Sequence, residues 1–291
     1  MDVPLSQVFY PSSFQELFSA WGRFPDAVLY AGGTEYVRNQ SRRIPILPQN
    51  IISLHKLEEL CKISRTERYI EIGAMARLSQ IIQHGKVVPE ALTKCLECIA
   101  GPQLRNLATI GGNICNSSRR LDGAAPLIAL DAQYELRTAQ STRWVSASRF
   151  SSLPGPPALA SQEILTRIRI PLEPWNFTCY RKFYTVGSNE PGAGILFIMR
   201  NQKNILTNIR VVYSGKAILR EKTSETMLAG KRLPLDRKDA AAFVDSWRTY
   251  LSVLEGAESY IFLGYNGSLH PELAKIQILN FVETTITRIS E

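Results

Sequence analysis

Apolar residues occur along the first 55 positions in short bursts separated by polar stretches. Phe14, Leu17 and Phe18 follow Ser12-Ser13, either of which suits a helix N-cap, and Ala27-Val28-Leu29-Tyr30-Ala31 forms a short apolar strand ending at Gly32-Gly33. A helix is expected to start near Thr34. Pro45 and Pro48 bracket Ile46-Leu47, and Asn50-Ile51-Ile52-Ser53-Leu54 reads as another buried strand, so residues 1–55 predict a β-α-β unit with short parallel pairing.

Tyr69 to Ala74 reads as a strand, and Ser79–Gly85 and Pro89–Gly101 as two helices. A polar loop from Gly101 to Asn113 leads to a capped apolar segment, Asp122 to Ala132. Strands near Gln133–Arg137 and Ile164–Ile170 follow, with a Ser-, Pro- and Gly-rich loop at 151–157 between them. Past Pro171 and Pro174 the composition changes, with strands at Cys179–Tyr184, Gly194–Arg200 and Ile209–Ser214, then helical patterning from Ser224 and from Asp236. The last helix has Pro271 in its first turn and Leu273, Ile276, Leu279, Val282, Ile286 and Ile289 as its packing face. The chain divides into three units, 1–55, 56–174 and 175–291.

Length and composition narrow the class. The 291 residues are 45% hydrophobic and 21% charged, as in ordinary globular chains, and no apolar run approaches the roughly 20 residues of a membrane-spanning helix. The net charge of +8 suits an anionic ligand but is diluted along the chain, which argues against nucleic acid. Met1-Asp2-Val3-Pro4-Leu5-Ser6 lacks the features of a signal peptide and the five cysteines are an odd number, so a reduced, cytoplasmic protein is expected. Cys95 and Cys98 form a Cys-x-x-Cys without a second ligand pair at suitable spacing, so no metal site is assigned.

The catalytic inventory is poor: there is no Gly-x-Gly-x-x-Gly after a strand, no phosphate loop, no Gly-x-Ser-x-Gly and no His-x-x-x-His among three histidines. What remains is Ala31-Gly32-Gly33-Thr34-Glu35 and Thr109-Ile110-Gly111-Gly112-Asn113. Glycine lets backbone N–H groups approach a bulky anion, and a flanking Thr offers a hydroxyl to a phosphate oxygen. One such pair usually makes only a turn. Two, from separate units, could hold both phosphates of a pyrophosphate.

These strings, extended through Gly101-Pro102-Gln103-Leu104-Arg105-Asn106-Leu107-Ala108 and Ile114-Cys115-Asn116, Asp122, Leu130-Asp131-Ala132, Glu163-Ile164-Leu165, Ile170-Pro171 and Tyr180-Arg181-Lys182, resemble the FAD-binding medium subunit of the molybdenum hydroxylases. That is the xanthine dehydrogenase and carbon monoxide dehydrogenase family, and the resemblance covers residues 1 to about 230. It implies an α+β fold: a two-subdomain FAD-binding fold of the vanillyl-alcohol-oxidase-like type, followed by a small α+β C-terminal domain.

The resemblance also implies site residues. The segment Leu29, Tyr30, Ala31, Gly32, Gly33, Thr34, Glu35 and Tyr36 would wrap the pyrophosphate, as would Thr109, Ile110, Gly111, Gly112 and Asn113. Asp122 would bind ribityl hydroxyls or, alternatively, cap the helix entering Ala124. Lys182 would stand near the flavin, where a cation suits the reduced ring, or be an exposed strand lysine. Ile99 and Leu165 match positions that pack on the flavin and could equally be core, while Gln103 and Arg105 are assigned to loop structure only. Arg119 stands where the family usually has Pro, 187–194 lacks the family's basic turn followed by Asp, and the chain beyond about 240 matches only in helical pattern.

The implied function is electron transfer from partner iron–sulfur clusters through non-covalent FAD to NAD+ or another acceptor, with the molybdenum cofactor on a further subunit and no catalytic acid, base or nucleophile here. A stand-alone FAD-dependent reductase or oxidase is the alternative of the same class. A non-enzymatic anion- or nucleic-acid-binding scaffold is the alternative of another class.

Overall fold

The computed structural model describes residues 6–38, 47–116, 122–151, 158–184, 191–215, 218–257 and 271–290. The features read at residues 1–5, 45–46, 119, 152–157 and 187–190 lie outside them. Twelve strands among the described residues form three sheets.

The first sheet has β1 (Gln7–Phe9), β2 (Val28–Tyr30) and β3 (Asn50–Ser53) in the order β1-β3-β2, with both pairings parallel. The helix Phe14–Arg23 between β1 and β2 is capped by Ser13, whose hydroxyl accepts from Glu16 N–H at 3.2 Å, while Glu16 reaches back to the Ser12 N–H at 2.8 Å. Its Phe14 and Leu17 pack with Ile52, Leu54, Leu57 and Leu60 in a small core beneath this sheet.

The second sheet is antiparallel, β4 (Ile63–Arg65), β5 (Tyr69–Gly73), β6 (Gln133–Arg137), β7 (Thr142–Ser146) and β8 (Ile164–Pro171), in the order β4-β5-β8-β6-β7. Alternation sets its faces: Ile70, Ile72, Ile168 and Ile170 point into the core, whereas Glu71 faces out and receives hydrogen bonds from Arg167 and Arg169. The helices Glu90–Glu97 and Ala124–Ala129 cover the inner face.

The third sheet is β9 (Phe177–Tyr184), β10 (Pro191–Gln202), β11 (Ile205–Ser214) and β12 (Ile218–Leu219), antiparallel in the order β12-β11-β10-β9. Its central strands are buried on both faces, which explains their continuous apolar runs. Leu196, Ile198 and Val212 enter the core of the middle unit; Ile195, Phe197, Val211 and Tyr213 enter another core under the helices Arg237–Ala257 and Pro271–Ser290. The sheet is thus sandwiched between the middle unit and the last two helices.

The structure corrects two sequence expectations. The stretch Gly101–Asn113 is not all loop: Pro102 starts the helical turn Pro102–Arg105, and Thr109 caps the helix Ile110–Ile114. In the last helix Val282 and Ile286 of the expected face are buried and Leu273, Leu279 and Ile289 pack against the same core, but Ile276 is 53% exposed, and Ala274, Ile278 and Phe281 complete the buried stripe. The expected face advanced in steps of three from 273 to 282, and nine residues rotate a helix by roughly 180° out of phase at 3.6 residues per turn.

Candidate cofactor site

Strand β2 ends at Tyr30 and the chain turns through Ala31-Gly32-Gly33 into the helix Thr34–Arg38. Gly33 has φ +68°, in the left-handed region where a side chain is strained. Gly32 is needed for another reason: a Cβ there would lie 2.1 Å from the Leu107 carbonyl oxygen. The first glycine loop therefore rests directly on the segment that enters the second. The first hydrogen bond of the helix runs from Val37 N–H to Gly33 O at 3.0 Å, so the helix ladder makes no use of the Gly33 and Thr34 amides.

The second glycine pair is built differently. Ile110 N–H donates to Ala76 O at 3.0 Å, Gly111 N–H to Ala74 O at 2.8 Å and Asn113 N–H to Thr109 O at 3.0 Å. Gly112 N–H donates to Thr109 Oγ1 at 3.1 Å. All four amides have protein acceptors, so this loop presents the Thr109 hydroxyl rather than a row of N–H groups. Gly111 is fixed by packing, since a Cβ would lie 2.7 Å from Ala74 O. Asn113 Oδ1 accepts from Gly123 N–H at 3.1 Å and ties the loop to the turn that carries Asp122.

Asp122 meets Lys182 across the junction between the middle unit and the third sheet. Lys182 Nζ donates to Asp122 Oδ2 at 2.6 Å and to Cys98 O at 2.9 Å, and Tyr180 Oη donates to Asp122 Oδ1 at 2.6 Å. The Lys182 and Asp122 side chains are only 8% and 5% exposed. The two simpler roles fail on this geometry: the helix Ala124–Ala129 has Gly123 at its N-cap with no side-chain bond, and Lys182 is not an exposed strand lysine. Arg105 serves loop structure, as expected, donating from Nη1 to the carbonyls of Glu97, Ile99 and Ala100 at 2.9, 2.8 and 2.6 Å.

These groups line one cleft of about 540 Å³, within the range usual for ligand sites. Of the residues singled out from the sequence, Leu29 through Tyr36, Ile99, Thr109, Gly112, Asn113, Asp122 and Lys182 line it. Ile110, Gly111 and Leu165 do not: Ile110 and Leu165 lie in the middle core, and Gly111 backs onto Ala74. Sequence reasoning missed Val28, Val37, Arg38, Ala100, Leu104 and Ala108 on the walls. Of these, only Leu104 and Ala108 sat inside the quoted signature, which was the one available signal. Burial pushes the Cys95 and Cys98 thiols up and Cys115 to about 12, so none is a thiolate near neutral pH. Among the described residues no cluster of His, Cys, Asp or Glu could hold a metal ion, and no helix is long and apolar enough to cross a membrane.

Residues 4–173 match the family described as the FAD binding domain in molybdopterin dehydrogenase. The chain is 36% identical over 154 residues to the xanthine dehydrogenase FAD-binding subunit of Escherichia coli O157:H7, a match covering 52% of each chain. It is 28% identical over 245 residues to the carbon monoxide dehydrogenase medium chain of Hydrogenophaga pseudoflava, covering 82% of this chain and 85% of that one. The chain thus spans about half the length of the first of these relatives in the matched region. A solved structure of carbon monoxide dehydrogenase from Hydrogenophaga pseudoflava that lacks the Mo-pyranopterin moiety shares the fold over 99% of this chain and 98% of that one, with TM-score 0.79 at 24% identity.

Proposed function

The chain belongs to the family of FAD-binding domains in molybdopterin dehydrogenases, and from that premise we propose that it is the flavoprotein subunit of a molybdenum hydroxylase. In this reading it takes electrons from iron–sulfur clusters on one partner subunit and passes them to NAD+ or another acceptor, while hydroxylation occurs on a molybdenum-cofactor subunit. The three-unit division at 1–55, 56–174 and 175–291 is proposed with it.

The residues present fit FAD. The first loop supplies a cradle with a positive-φ glycine and amides outside the helix ladder, Thr109 adds a hydroxyl from the facing loop, and both open on the cleft that contains the Asp122–Lys182 pair. That shared cleft is the observation that carries the proposal. FAD, when bound, supplies the redox chemistry. The chain's own residues bind and orient: Ala31 to Glu35 and Thr109 hold the pyrophosphate, Asp122 accepts from ribityl hydroxyls, and Lys182 places a fixed positive charge beside the ring. Burial of that pair keeps it out of bulk solvent and so reduces the screening of its field.

The relay is tested by purifying the chain alone and together with its partner subunits, then following bleaching of flavin absorbance on adding a purine or aldehyde substrate. Rapid bleaching is expected only with the partners. Rapid substrate-driven bleaching of the isolated chain would contradict the relay and favour a stand-alone oxidoreductase.

A further inference from the structure

Tyr180 is not among the residues assigned to the site, yet it holds one oxygen of Asp122. Tyr180 and Lys182 are two apart on β9 and so share a face of the third sheet, the face turned toward the middle unit. Arg181 between them points the other way, its guanidinium 5.5 Å from the Phe281 ring. From this one face Tyr180 Oη reaches Asp122 Oδ1 and Lys182 Nζ reaches Asp122 Oδ2, both at 2.6 Å. Two donors on two different oxygens fix the plane of the carboxylate, which a single ion pair would leave free to rotate about its terminal torsion.

The neighbouring strand makes room for this. Gly194 on β10 lies directly opposite Lys182, and a Cβ at Gly194 would sit 2.3 Å from the Tyr180 hydroxyl oxygen and 3.0 Å from the ring carbon that bears it. The absent side chain is the space through which Tyr180 leans across the sheet. Strand interiors disfavour glycine, so a glycine that receives a neighbour's ring has a packing reason.

We propose that Tyr180, seated over Gly194, is a positioning residue of the cofactor site: it orients the Asp122 carboxylate toward the ribityl chain of FAD. This rests on the flavin reading above. The third sheet thereby becomes part of the cofactor site rather than an appendage to it. The hydroxyl meets the site through Asp122, so its influence is expected on ligands that reach Asp122 rather than at the glycine loops.

The test compares FAD with ADP, which carries the pyrophosphate but neither the ribityl chain nor the ring. Affinities of the full-length flavin-free chain are measured by quenching of FAD fluorescence and, for ADP, by competition with FAD. Tyr180→Phe keeps the ring and removes the hydroxyl; Gly194→Ala keeps the hydroxyl and displaces it. Each is expected to weaken FAD about tenfold, to leave ADP within about twofold, and to leave the flavin-free chain folded, with its unfolding temperature lowered by no more than about 5 °C. The double variant is expected to be no worse than either single one, since both remove one contact. Unchanged FAD affinity in Tyr180→Phe, or equal losses for FAD and ADP, would overturn the positioning role. A parent chain that binds no FAD would instead overturn the functional reading itself.

Discussion

Gly32 lies where the two glycine loops touch, with Leu107 O at 2.1 Å from a would-be Cβ. Gly32→Val is therefore expected to push the two loops apart, abolishing FAD retention and costing about 1–3 kcal/mol of stability as overpacking does; flavin content and thermal unfolding check both. Glu163, matched in sequence only as part of a string, proves to be a structural carboxylate. It accepts from Arg143 Nε and Nη2 at 2.6 and 2.7 Å and from Ala160 N–H at 2.9 Å. The Arg143 bonds hold its pKa below the usual carboxylate value, against the upward push of burial. A depressed folded-state pKa gives stability that is present above the unfolded value of about 4.3 and is lost as pH falls through the folded one. Glu163→Gln should lower stability by about 1 kcal/mol at pH 7, since Arg143 is half-exposed and partly screened. The difference from the parent should shrink as unfolding is followed down through pH 4. Asp122 and Lys182 could be placed together only through the resemblance, because 60 residues separate them and spacing alone says nothing about a pair brought together by a sheet.

At the scale of elements, the hydrophobic pattern served well for the longer strands and poorly for the shortest elements and for the face of the last helix. Strand β8 alternates Arg167 and Arg169 with Ile168 and Ile170 and was legible at once. Strand β7 buries only Val145, and β1 and β4 have three residues each, so no alternation marked them. The turns Pro102–Arg105 and Ile110–Ile114 were hidden because four or five residues carry no helical period, although Pro102 and Thr109 were the starting signals. The last helix offers a sharp check on its corrected stripe. Phe281→Ala, which empties a site 1% exposed in the C-terminal core, should cost about 3–5 kcal/mol. Ile276→Ala, on the solvent side, should stay within about 0.5 kcal/mol. Denaturant unfolding of the two variants distinguishes this stripe from the one that the three-residue steps suggest, for which the larger loss would fall on Ile276.

In the whole molecule the three sheets meet at the site, and the third is tied to the middle one again at the far end of one short helix. Asp122 stands just before the helix Ala124–Ala129, and the carbonyls at that helix's other end face Arg210 and Arg220 from the C-terminal unit. Both arginines also bind Asp131, at 2.8 and 3.1 Å, and Arg210 lies 4.7 Å from the centre of the Trp175 ring. Cations at a helix C-terminus are favourable, and here they anchor the third sheet to the element that presents Asp122. Net charge and the two glycine pairs pointed to an anionic ligand and the resemblance identified it as FAD; this cross-unit construction was not legible, because it depends on long-range contacts that no local pattern encodes. One FAD is expected to sit non-covalently in the cleft between the glycine loops and the Asp122–Lys182 pair. The test is to denature the purified chain with acid, identify the released flavin by mass and count it per chain. FAD, fully released, is expected at about one per chain. Recovery of FMN, a flavin that stays attached to the polypeptide, or a chain that neither carries FAD nor takes it up when FAD is added would contradict it.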